Sequence, residues 1–175
     1  IGAFYLAPIS LESTDLLRFI FLFTVMCSFL CLFLIDLEHK ILPNPINLYL
    51  ASIFLLHGAL TSPWQHWLLG GAIGFGAPYL VTWIFYLLKG KVGLGGGDIK
   101  LFGALGLFLG PAGIISNIFI SCFLGSIIGL TLIVTKVIDR NYQIPFGPFI
   151  IIAASVQIFF PDHYAFVMKF LGYNF

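Results

Sequence analysis

Charge is what this sequence has least of: 9% of its 175 residues are Asp, Glu, Lys or Arg, against roughly a quarter in soluble globular domains. That scarcity removes the polar surface a water-soluble domain needs. A net charge of +1 supplies no basic patch, so a nucleic-acid partner is not expected. Cysteine is nearly absent too, with only Cys27, Cys31 and Cys122, all inside apolar runs. Cys27 and Cys31 share a helix face without a further thiol or His beside them, so no four-ligand metal site is expected and all three read as small buried hydrophobes. Alternation of polar and apolar residues is lacking, which excludes the strands of a membrane barrel. The first residues, "IGAFYLAPIS", lack the basic stretch of a signal peptide and break at Pro8. They read as a tail or a trimmed segment over 1–15, with something missing upstream.

What is present is hydrophobic length. Apolar residues make up 60% of the chain and the mean hydropathy is +1.07. A hydrocarbon core about 30 Å thick needs about 20 residues of helix. The runs therefore predict an all-α polytopic membrane protein, a bundle of about six transmembrane helices near 16–36, 45–61, 66–88, 99–110, 112–137 and 146–161. The lipid bilayer is thus the first expected partner. Gly110 and Pro111 stop the fourth run early, so it is expected to cross partway or to bend into the fifth. Glycines four residues apart, at 70 and 74, 106 and 110, and 125 and 129, are expected to let helix backbones approach closely. The 20 Phe residues read as lipid-facing or packing groups. Lys40, Lys89, Lys91, Lys100, Lys136 and Arg140 lie on one side of the spans and Arg18 and Lys169 on the other, which puts the richer side in the cytoplasm.

Against this background the acids need a reason, because a charge at the centre of a spanning helix costs roughly 2.5–3.5 kcal/mol. Asp36 closes a long apolar run and precedes Glu38, His39, Lys40 and the turn "LPNP". Asp98 stands directly behind Gly95, Gly96 and Gly97 in "GLGGGDIK". Taken alone, Asp98 reads equally well as a helix cap. Between the two acids run two helical segments, a hairpin that returns the chain to the same face. Two carboxylates meeting there can share one proton and hold a water, since repulsion between them keeps one neutral where the other is charged. The glycines would let an extended peptide lie against the backbone beside that water. This is the chemistry of an aspartyl protease, with no metal, no other cofactor and no covalent intermediate.

The segments "IDLEHKILPNPINL" (35–48), "GLGGGDIKLFGALGLFLG" (93–110) and "IPFGPFI" (144–150) resemble, in order and separation, the three signature regions of bacterial type IV prepilin peptidases, membrane proteases with a G-x-G-D motif. The resemblance implies that Asp36 and Asp98 are the catalytic pair and that Gly95 and Gly97 are the motif glycines, with Gly96 between them. It implies a transmembrane peptidase domain over 16–175 in the bacterial inner membrane, its site facing the cytoplasm. The implied substrate is a prepilin or pseudopilin, cut between the Gly that ends its basic leader and the first residue of a hydrophobic helix. Many members also carry paired C-x-x-C motifs that bind zinc and a methyl-transfer activity that uses S-adenosylmethionine; those pairs are missing here, which puts methyl transfer in doubt for this chain.

Other residues carry weaker expectations. Glu38 could attract a basic leader, although a solvated helix end suits it better, and Lys100 is expected to point away from Asp98 and anchor among headgroups. His39 reads as interfacial, and His57, His66 and His163 as scattered on the opposite side. "IPFGPF" is expected to start the last helix through Pro145 and to pack Phe146 near the site. Two rival functions fit a small polytopic protein: a proton- or cation-coupled transporter, and a catalytically silent pilus or secretion assembly factor. The transporter predicts internal repeats and mid-membrane acids, neither of which is evident.

Overall fold

A computed structural model describes residues 13–91, 93–139, 142, 144–162 and 164. Residues 1–12 of the expected tail, together with Arg140, His163 and Lys169, lie outside the described residues, and 13–15 of that tail belong to the first helix. Those described fold into five helices: α1 (Ser13–His39), α2 (Asn44–Thr61), α3 (Trp64–Lys89), α4 (Gly96–Val134) and α5 (Gly147–Phe159).

Local chemistry sets the ends. α1 stops where Lys40 takes a left-handed φ of 56° and its N–H donates to the Asp36 carbonyl at 2.9 Å, the bond that closes many helix C-termini. Pro43 caps α2 and Pro45 sits in its first turn, where a missing N–H costs nothing. Gly90 ends α3 at φ 65°, its N–H donating to the Tyr86 carbonyl. Gly110, at φ 69° and ψ −177°, breaks α4 directly before Pro111. The ring of His66 packs against Gly110, where any side chain would collide with it.

Three helical stretches, Asp15–His39, Trp64–Lys89 and Gly96–Val134, are long and apolar enough to cross a membrane, and Gly147–Phe159 is a shorter apolar helix. These stretches are fewer than the about six transmembrane helices expected from the sequence. Helical segments occur at all six expected places, and the fourth and fifth meet at a non-helical Gly110 within α4, the bend from one into the next being one of the two outcomes expected there. α5, with 13 residues, rises only about 20 Å, short of the ~30 Å hydrocarbon core.

α4 is the hub of the bundle, contacting α2, α3 and α5. Its Leu101, Phe102 and Leu105 join Leu50 and Phe54 of α2, Leu32 of α1 and Ile150 of α5 in one buried cluster. Along α3 and α4 the expected close approach is realised: a Cβ on Gly70 would strike the carbonyl of Gly106, and one on Gly106 the carbonyl of Gly70. Gly125 and Gly129 instead make room for Phe146, Phe149 and Ile144. One polar cluster pins α5 to the second half of α4. Asn117 Nδ2 donates to Gln157 Oε1 at 2.9 Å, and Gln157 Nε2 donates to the Gly113 carbonyl at 3.1 Å.

The outer surface is apolar, with Leu88, Phe119 and Val81 among many large side chains left uncovered, as lipid rather than water requires. This also corrects the reading of the cysteines: Cys31 and Cys122 are exposed and Cys27 half-buried. In a bilayer an apolar thiol is stable on the outside, so hydrophobicity alone does not predict burial.

Candidate active site

Asp36 lies in the last turn of α1, only 4% exposed. Its Oδ2 accepts the backbone N–H of Gly147 at 2.9 Å. Gly147 opens α5, whose N-cap residue Phe146 offers no side-chain cap. Asp36 therefore caps α5 from another helix, at the end where unpaired amides and the helix dipole attract an anion. Glycine is required there, since a Cβ on residue 147 would lie 2.7 Å from Asp36 Oδ2 and 3.1 Å from Leu42 Cδ2. A second tie holds the same corner: the Lys40 ammonium sits 3.9 Å from the centre of the Tyr142 ring, on the connection leading to α5.

Asp98 is the third residue of α4, behind the N-cap Gly95. Its carboxylate folds back over Gly95, the approach by which a side chain at this position supports a helix start. A Cβ on Gly95 would lie 2.8 Å from Asp98 Oδ2, and one on Gly97 would lie 2.8 Å from Leu42 Cβ. The buried Leu42, in the α1–α2 turn, thus touches both Gly97 and Gly147 and holds the two acidic segments side by side. From α2, Asn47 Nδ2 donates to the Gly97 carbonyl at 3.2 Å and fixes the backbone directly before Asp98.

The structure thus brings Asp36, Asp98, Gly95 and Gly97 into one corner of the bundle. Gly96 belongs to the same turn but faces open space, with no atom within 4 Å of where a Cβ would be. Glu38 is exposed, 3.9 Å from His39 Nδ1. The Lys100 ammonium donates to Asn44 Oδ1 of α2 at 2.7 Å, a contact not anticipated from the sequence. Phe146 packs with Phe149 and Phe102, as expected, although α5 begins one residue later, at Gly147. His57 is stacked among Phe21 and Phe108. Among the described residues no group of three or more His, Cys, Asp or Glu is arranged to hold a metal ion.

A family model for the type IV leader peptidase family matches residues 22–130. The chain belongs to that family. Among curated relatives, a prepilin leader peptidase/N-methyltransferase of Xanthomonas campestris pv. campestris is 41% identical over 127 residues, 71% of this chain and 44% of that protein. Proteins of the same name from Pseudomonas aeruginosa and Legionella pneumophila are 32% identical over 135 residues and 35% over 143, covering 76% and 79% of this chain and 47% and 48% of theirs. The chain spans about half the length of the curated relatives it matches. No solved structure gives a significant match. The stretch matched by the leader peptidase family model contains both acids, Leu42, Asn44, Asn47 and Lys100, and ends before Gly147.

Four of these residues, Leu42, Asn44, Asn47 and Gly147, received no role from the sequence. Asn47 and Gly147 lie inside the segments that carried the resemblance, and Leu42 sits in the turn "ILPNP". Two prolines crowding each turn were the available signal, because a chain stiffened on both sides of a Gly or Asn holds a fixed backbone position.

Proposed function

We propose that this chain is the peptidase core of a leader peptidase, an aspartyl endopeptidase that removes the leader of type IV prepilins or pseudopilins at the cytoplasmic side of the bacterial inner membrane. The observation that carries this reading is that Leu42 packs against both Gly97, next to Asp98, and Gly147, whose amide binds Asp36, which sets the two acidic segments side by side although two helices separate them in the chain. The names of the relatives add support for the substrate, and the reading concerns the peptidase half of their double name.

In this mechanism one carboxyl is neutral and the other charged, as two adjacent acids sharing a proton require. The charged one takes a proton from a water whose oxygen attacks the scissile carbonyl carbon. The neutral one gives its proton to the carbonyl oxygen. Collapse of the tetrahedral intermediate breaks the C–N bond, and the leaving amine takes a proton from the pair. The Gly147 N–H keeps Asp36 in one rotamer through these steps, while Gly96, open on its outer side, gives a peptide backbone room to approach. The six helical segments form a membrane-embedded bundle, and the apolar helix of the substrate docks on it from the lipid. Confinement to the same bilayer brings the partners together without a large soluble recognition domain.

The test is direct. Purified protein incubated with a prepilin should release its leader, and Asp36→Asn and Asp98→Asn should each abolish release. Full-rate cleavage by either variant would refute the assignment.

A further inference from the structure

A groove of about 770 Å³ runs between α2 and α3 with α4 as its floor. Its walls are apolar, from Leu48 on α2, Leu68 and Phe75 on α3, and Leu107 on α4, and small residues such as Ala72 and Gly103 leave it open. One end is polar. There Asn44 and Asn47 of α2 meet Lys100 of α4. Asn47 is 3% exposed and spends its amide N–H on the Gly97 carbonyl, which orients its Oδ1 as the free acceptor. That oxygen is buried without a hydrogen-bond partner. A buried acceptor left unpaired costs about 1–3 kcal/mol, and because Asn47 lines the groove, an occupant that shifts this side chain can supply the missing donor. Resting on the peptidase reading, we infer that the groove holds the apolar segment following the cleaved bond of the substrate polypeptide, with Asn47 Oδ1 accepting one of its backbone N–H groups.

Three observations favour a peptide over a lipid tail. The unpaired atom is an acceptor, which a polypeptide backbone answers with an N–H and an acyl chain cannot. Asn47 binds the backbone one residue before Asp98, so the polar end of the groove abuts the turn that carries this acid. Lys100 puts a cation at that end, suited to backbone carbonyls and repulsive to a basic leader. The leader is thereby turned away from the groove and the apolar segment into it. Small residues on three helices let the incoming backbone come close, which is how helices associate where no hydrophobic effect drives them together.

The experiment uses the whole chain in lipid nanodiscs. Ala72 is exposed in the groove, so Ala72→Phe fills it from outside the core. The variant should raise KM for a prepilin by about tenfold or more while kcat stays within a few-fold, the scale on which one wrongly sized apolar contact discriminates. A wild-type chain that cleaves, with KM unchanged in Ala72→Phe, overturns the inference and leaves the peptidase reading intact. A second arm is independent of turnover: Ala72→Cys, with Cys27, Cys31 and Cys122 replaced by Ser and Asp36 by Asn, is oxidised with prepilins carrying single cysteines along the apolar segment. A disulfide at helical spacing supports the groove even if no cleavage is ever seen, in which case the peptidase reading fails alone. Absence of any disulfide, with labelling of the same site by a photoactivatable phospholipid, makes it a lipid groove and overturns the inference.

Discussion

Replacing Gly147 by Ala tests whether the third signature region acts on the chemistry through Asp36. The new methyl would start 2.7 Å from Asp36 Oδ2 and 3.1 Å from its Cγ. Ordinary carbon–oxygen contact begins several tenths of an ångström farther out, so the carboxylate or the start of α5 must move. Leu42 Cδ2, 3.1 Å from the same methyl, blocks the easy direction. Movement lengthens the 2.9 Å bond from the Gly147 N–H. A hydrogen bond to a charged group contributes about 1.5–3 kcal/mol, and each 1.36 kcal/mol of barrier is tenfold in rate. The expected outcome is a fall in kcat of roughly 10- to 100-fold, with KM for prepilin little changed, because the groove assigned to the substrate is untouched. Gly147→Val should lose more. Gly76→Ala is the control, since nothing lies within 4 Å of its added methyl, and it should behave as wild type in rate and in melting temperature. Steady-state cleavage of a purified prepilin, followed on gels, reads all three. Full kcat in Gly147→Ala, with the fold intact by thermal denaturation, would refute the claim that this amide positions Asp36.

Further outcomes follow from the same structure. Asp36→Asn and Asp98→Asn each remove a proton carrier, and each should cut the cleavage rate by at least the 10²–10⁴-fold typical of general acid–base groups, with melting temperatures near wild type. Gln157→Leu leaves Asn117 Nδ2 buried without its acceptor and should lower stability by about 1–3 kcal/mol, whereas the double variant Asn117→Leu/Gln157→Leu should recover part of that loss; a double variant worse than the sum of the single ones would contradict the pairing. Gly106→Leu drives a side chain into the Gly70 carbonyl and should prevent stable assembly of α3 on α4, seen as aggregation during size-exclusion chromatography in detergent. Cleavage should be unchanged by EDTA, and inhibition reversed by added divalent metal would contradict the two-acid mechanism.

The sequence by itself determined the solvent and the secondary structure. Long apolar runs with almost no charge can satisfy their backbone polar groups in lipid only as helices, so the helical segments fell near their expected places. The same scarcity of charge singled out Asp36 and Asp98. Gly70 and Gly106 were readable as positions of close approach for a related reason, since only the smallest side chain lets two backbones meet in lipid, but that they meet each other came from the packing. The break at Gly110 and Pro111 was legible, but only packing chose between a stop and a bend; the chain kinks there and resumes, because Gly tolerates φ 69° and Pro suits the first turn of a helix. Cysteine exposure was misread because burial and apolarity are uncoupled when the surroundings are themselves apolar. Only the tertiary structure decided who holds the acids. Neither the Gly147 amide at Asp36 nor Asn47 behind Asp98 follows from local pattern, since each contact joins segments far apart in the chain, and its geometry depends on how α1, α2, α4 and α5 pack around Leu42.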